Sequence, residues 1–306
     1  MTLPIYVPIL KAMKSESIAL ENRKPNELKG LVPLFEITKI NEQIEKAARF
    51  KGVADLTKSY LDEVANRIND VWNGRLAMID NFHWNPKATI GTGEHVLEYT
   101  LQKLDSLGVK VIPVIGYDRW GFTEYKVALQ NLELSDIPYF CLRLEDIAFE
   151  DSQDPDFFNE NIDNILDDLG LVASNCSVLI DFGDSTKRDL SEMELVVDRI
   201  TTLLKPYGFK FLITAGCSMP SSINLAVKNE NSAGKVQRKE MLLWQNKMSI
   251  NNDLPLVYGD YGVRGPNSNA GGIAPDANGR IRYTIEKHYY IHREHSMRYG
   301  VHGDPM

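Results

Sequence analysis

Short apolar runs that end on charged residues recur along this chain and constrain its fold more than any other feature. Eight can be read in order. The first three are Tyr6–Leu10 running onto Lys11, Leu31–Ile37 with Glu36 near its end, and Arg75–Asp80. Val109–Tyr117 then leads to Asp118, and Ile137–Leu144 carries Arg143 ahead of Glu145 and Asp146. Cys176–Phe182 holds Asp181 with Asp184 just beyond, and Phe209–Ala215 precedes Cys217 and Ser218. The last run lies in Leu254–Arg264, which delivers Asp260, Tyr261 and Arg264 in quick succession. Runs that are apolar throughout, rather than alternating, suit strands buried on both faces of a parallel sheet.

Helical patterns separate most of these runs. Leu56, Tyr60, Val64, Ile68 and Val71 fall on one face of a helix over Asp55–Val71. Thr92 is expected to cap a helix that Gly108 stops, and Ser191 with Glu194 reads as a capping box for a helix reaching about Lys205. Phe122–Leu132, Phe157–Leu169 and Gln237–Met248 also read as helices. Eight strands with intervening helices in 306 residues predict a closed (β/α)8 TIM-like barrel, taken as a single domain over residues 1–306. Pro8, Pro33 and Pro113 argue against central strands, unless they stand near strand starts where one ladder bond is lost. Two stretches break the rhythm and predict long loops after strands seven and eight: Ser218–Gly234, and the Gly- and Asn-rich Asn267–Gly279, expected to be mobile. Beyond the second, IRYTIEKHYYIHR reads as extended.

Composition excludes some functions. A formal charge of −8 and a pI near 5.4 speak against bulk binding to nucleic acid. Cys141, Cys176 and Cys217 lie far apart without a CxxC pair, which predicts buried reduced thiols. Met1–Leu10 lacks the basic start of a secretory signal, and no run reaches the roughly 20 apolar residues of a membrane helix. These features place the chain in the cytoplasm, off the membrane.

In a barrel, the carboxyl ends of the strands face one another and form the site. The acids gathered there are Glu36, Asp80, Asp118, Glu145, Asp181 and Asp260, and the bases are Lys11, Arg143, Arg264 and Arg282, with Arg238 on a late helix. Asp80, Asp181 and Asp260 are candidate catalytic carboxylates able to hold a hard cation, Mg²⁺ or Mn²⁺. Lys11, Arg143 and Arg282 could grip a phosphorylated small ligand, with Glu36, Glu145, Arg238 and Tyr261 completing the binding set. The competing reading is an ion network that plugs the barrel top, because clustered charges perturb one another in either case. Arg238 and Glu240, two apart on a helix, are expected not to pair. His288 and His292 are too far apart along a strand to share a tetrahedral ion. A Cys217–Ser218 nucleophile lacks a strand-end histidine other than His83.

Five segments in order also carry a family resemblance: Tyr6–Lys11 with Glu16 beyond it, Pro33–Glu36, the helix with Arg238, Glu240 and Trp244, Gly259–Tyr261, and Arg282–Thr284. Together they resemble the beta protein family of phages, prophages and bacterial genomes. The chain departs from that pattern at Arg293-Glu294, where an Arg-Gly step is common, and at Ser218-Met219-Pro220, where an aromatic often precedes the proline. The resemblance implies a barrel-like fold and a role in phage conflict, as antiviral defence or toxin neutralisation. Its founding member, from a satellite phage, is associated with neutralising a toxic partner encoded beside it. The expected partner is therefore a protein encoded nearby. The alternative, drawn from the strand-end charges, is a metal-assisted hydrolase or transferase acting on a phosphorylated or nucleotide ligand.

Overall fold

The computed structural model describes residues 3–250, 255–262, 265–267 and 278–296. Eight parallel strands close a barrel. They are β1 (Tyr6–Lys11), β2 (Leu34–Glu36), β3 (Leu76–Asp80), β4 (Lys110–Gly116), β5 (Phe140–Leu144), β6 (Cys176–Asp184), β7 (Leu212–Cys217) and β9 (Leu256–Tyr261). β8 (Ser232–Gln237) lies between the last two in sequence but outside the barrel. It joins β10 (Asn278–Ile285) and β11 (His288–Ser296) in an antiparallel sheet ordered β10-β11-β8. Barrel closure is made by β9 pairing with both β7 and β1. The expected TIM-like barrel is thus the observed fold.

Period-two alternation sorts the strand residues into two cores. Val7, Ile9, Leu34, Met78, Val114, Cys141, Leu179 and Ile213 fill the barrel interior. Leu10, Phe35, Ile79, Ile115, Leu142 and Ile180 point outward against the helices. Both faces of each strand therefore exclude water, which explains why the strands read as unbroken apolar runs. The helix Leu56–Trp72 buries Tyr60, Leu61, Val64, Ala65, Ile68 and Trp72, and Asp55 caps it by accepting from the Lys58 amide at 2.9 Å.

Several local expectations are corrected. The helix expected to start at Thr92 begins at Val96, capped by His95, whose Nδ1 accepts from the Leu97 amide at 3.1 Å. The helix assigned a Ser191 box begins at Leu190, with Asp189 as N-cap and no side-chain cap bond. Pro8 and Pro113 stand within β1 and β4 rather than at their starts. The long loop after the seventh barrel strand contains a short helix, Ile223–Ala226, and runs into β8. Most of Asn267–Gly279 lies outside the described residues, as does Arg264. No described helix is long and apolar enough to cross a membrane.

Candidate functional site

The barrel mouth is built on strand ends whose side chains point inward. Ladder register sets Lys11 opposite Glu36, and Glu36 opposite Asp80. Arg143, fully buried, stands at the centre of the group. Its Nη1 donates to Asp80 at 2.8 Å, its Nη2 to Glu36 at 2.7 Å and Asp181 at 2.6 Å, and its Nε to Asp181 at 3.1 Å. The Tyr261 hydroxyl accepts from Nη2 at 3.0 Å and donates to Asp181 at 2.8 Å. Phe82 lays its ring 4.3 Å from the guanidinium carbon. All three nitrogens of Arg143 therefore donate to protein carboxylates or to one tyrosine.

Two further cations complete the layer. Arg119, which the sequence reading left out, follows β4 and donates to the two oxygens of Asp80 at 2.7 and 3.3 Å. Lys11 donates to Glu36 and lies 2.6 Å from Nε2 of His83. The same Nε2 lies 3.4 Å from the Glu36 carboxylate. Burial works against charge on Glu36, but Arg143 above all, with Lys11, holds its carboxyl well below the usual carboxylate range. Burial likewise opposes charge on Asp80, and Arg119 and Arg143 outweigh it. Glu145 differs. Burial pushes its carboxyl up to about 8, Arg143 being only partly compensating at 3.7 Å. Glu145, Asp118, His83 and Phe182 line a cavity of about 510 Å³ above the network.

Asp260 does not join this group. Neighbouring strand residues point to opposite faces, so with Tyr261 inside the barrel, Tyr258 and Asp260 face outward. Trp244 packs against Tyr258 at 5.6 Å between ring centres. Arg238 donates to Asp260 at 2.9 Å and to Tyr258 at 2.7 Å, while the hydroxyls of Tyr258 and Tyr6 donate to the same carboxylate. Arg238 also donates to the Glu286 carbonyl at 2.6 Å, which ties the three-stranded sheet to the outside of the barrel. The helix starts at Lys239, so Arg238 precedes it, and its Nε lies 3.8 Å from Glu240. The expectation that these two residues cannot meet is corrected, because helical spacing does not apply across a helix start. Glu240 accepts from Ser218 and, at 2.7 Å, from Tyr289. Arg282 lies on β10 beside this second centre, lining a cavity of about 270 Å³ with Tyr6, Asp260 and Tyr289.

The residues do not fit the hard-cation expectation. Asp80 and Asp181 receive guanidinium donors, and Asp260 is on the other side of the barrel wall. Among the described residues, no three His, Cys, Asp or Glu side chains converge as a ligand set. Nor is the phosphate grip assembled: Lys11 and Arg143 are paired inside the barrel, while Arg282 stands outside it. Cys217 and Ser218 are buried, and burial pushes the Cys217 thiol up to about 12. Arg119 was missed because its own segment, Tyr117–Arg119, is a 3-10 turn rather than a strand end. Gly116 two residues ahead of Asp118 was the available signal, since a strand position without a side chain leaves room for another residue.

Comparison with known proteins adds one firm result. No curated protein is significantly similar to the chain. A chain from a structural study of two fungal beta-1,4-galactanases matches 83% of this chain and 75% of its own length, with 13% identity and a TM-score of 0.32. At that TM-score the likeness carries no argument about chemistry. The model of the family described as "Beta protein" matches residues 6–305, nearly the whole length, and the chain belongs to that family.

Proposed function

We propose that the chain is a phage-conflict protein that works by binding a protein partner encoded near it, through the outer face of the β10-β11-β8 sheet. The observation that supports this is a row of apolar side chains on β10. Ile281, Tyr283 and Ile285 are 62%, 50% and 39% exposed, at every second position and hence on one face. Tyr290 of β11 extends the row, its ring centre 5.0 Å from that of Tyr283. Among the described residues β10 is the edge strand of its sheet, with β11 as its one strand neighbour. Apolar side chains beside such an edge suit strand addition by a partner segment. The phage-conflict role itself comes from the family.

The hydrolase or transferase reading draws less support, because its three carboxylates are divided between two centres and its cationic grip is already paired. The test is Tyr283→Asp and Ile281→Asp, scored for co-purification with the neighbouring gene product and for protection of cells against phage or against that product. The expected outcome is loss of both with an unchanged unfolding midpoint. Full protection by the doubly substituted protein would sink the proposal.

A further inference from the structure

The ion network at the barrel mouth is balanced in charge except at its upper edge. Lys11, Arg119 and Arg143 face Glu36, Asp80 and Asp181, and all six side chains are almost completely buried. Each of the six has a counter-ion at hydrogen-bond distance. Glu145 is the surplus acid. Its side chain is 17% exposed, its one charged neighbour of opposite sign among the described residues is Arg143 at 3.7 Å, and all three Arg143 nitrogens already donate to other groups. No described donor reaches the Glu145 carboxyl within hydrogen-bond distance.

Above Glu145 is the cavity of about 510 Å³, within the range of small-ligand sites. Its walls include the rings of Phe82 and Phe182. Among the described residues its carboxylates are Asp118, Glu145, Asp146, Asp181 and Asp184, against the imidazole of His83 and one guanidinium, Arg188, which is itself paired with Asp146. An anion would meet this surplus of negative charge. A bare metal ion would lack a converging ligand set among the described residues. Aromatic walls and an uncompensated carboxyl suit a weakly hydrated organic cation.

We propose that the barrel mouth binds a ligand bearing a guanidinium or ammonium group on an aliphatic stem, with Glu145 as its counter-ion. The binding is coupled to a proton. Burial raises the Glu145 carboxyl, Arg143 pulls it down, and Asp181 and Asp80 on strand ends, with Asp118 on the turn after β4, push it up again, to about 8. At neutral pH the unliganded carboxyl therefore holds its proton. An arriving cation favours the carboxylate, so the proton leaves to solvent as the ion pair forms, and charge is conserved.

The test is calorimetric titration of the whole chain with n-butylguanidinium, with butyl phosphate as the anionic control. Titrations in two buffers of different ionisation enthalpy count the protons released. Binding with release of about one proton near pH 7, vanishing above about pH 9, is the expected result. Glu145→Gln, which mimics the protonated acid and should fold, is expected to weaken binding about tenfold or more and to abolish proton release. A blocked arginine amide and an arginine-containing peptide distinguish the source: tighter binding of the peptide assigns the cation to a protein, equal binding to a free amine. The absence of binding by every guanidinium probe, binding of butyl phosphate instead, or unchanged affinity and proton release in Glu145→Gln would each overturn the proposal.

Discussion

Arg119 occupies the place that a side chain on Gly116 would take: a Cβ on Gly116 would lie 2.1 Å from the Nε and Nη2 atoms of Arg119. β4 thus contributes no inward side chain at its end, and a guanidinium from the following turn fills the gap and reaches Asp80. Gly116→Ala should drive Arg119 off Asp80 and leave buried charges partly unpaired. The expected cost is on the order of 3 kcal/mol, read as a fall in the urea midpoint. A wild-type midpoint would show that Arg119 can move without loss.

Asp260 is the main counter-ion of Arg238 on the outside of the barrel wall. Asp260→Asn removes that charge while the guanidinium stays buried against Tyr258 and Tyr289. Destabilisation on the order of 3 kcal/mol is expected. Chemical denaturation at neutral pH decides, and an unchanged or raised stability would instead mark Asp260 as a strained functional carboxylate.

The pH dependence of stability carries a sign that can be checked. Burial raises the carboxyl of Glu145 from 4.5 to about 8. Its contribution is therefore complete below about pH 4.5 and is lost as pH rises through about 8. Glu145→Gln keeps the neutral form throughout, so its advantage over wild type should grow from acid toward pH 9, to on the order of 3 kcal/mol. Parallel stability curves for the two proteins across that window would refute the shift. Glu36 runs the other way: its depressed carboxyl contributes stability above the ordinary carboxylate range, and that contribution is lost as pH falls.

The three thiols should be silent in the folded protein. Burial pushes Cys141, Cys176 and Cys217 each up to about 12, so almost no thiolate exists at neutral pH. Alkylation is expected only at the rate of unfolding. Rapid labelling of Cys217 in native conditions would show that the cavity it lines with Tyr6 and Asp260 admits the reagent.

The barrel was legible because strands buried on both faces must be apolar throughout, and because parallel strands end at the same side. That logic predicted Lys11, Glu36, Asp80, Arg143, Asp181 and Asp260 at one rim; the first five meet there, while Asp260 pairs with Arg238 on the outside. It could not see β8, whose sequence SAGKVQ has little apolar content and becomes a strand only by pairing with β11 some fifty residues on. Nor could it see Arg119, which reaches Asp80 from a turn rather than from a strand end.

The sequence by itself determined which residues end the strands, since local apolar length and the charges that stop it are properties of neighbours along the chain. Only the tertiary structure decided which wall of the barrel each one faces. Asp260 and Tyr261 are adjacent in sequence, yet one binds Arg238 outside and the other Arg143 inside. In a strand buried on both faces, inward and outward positions are equally apolar, so the run contains no sign of its phase. That phase is set when β9 pairs with β1 and β7 and the barrel closes.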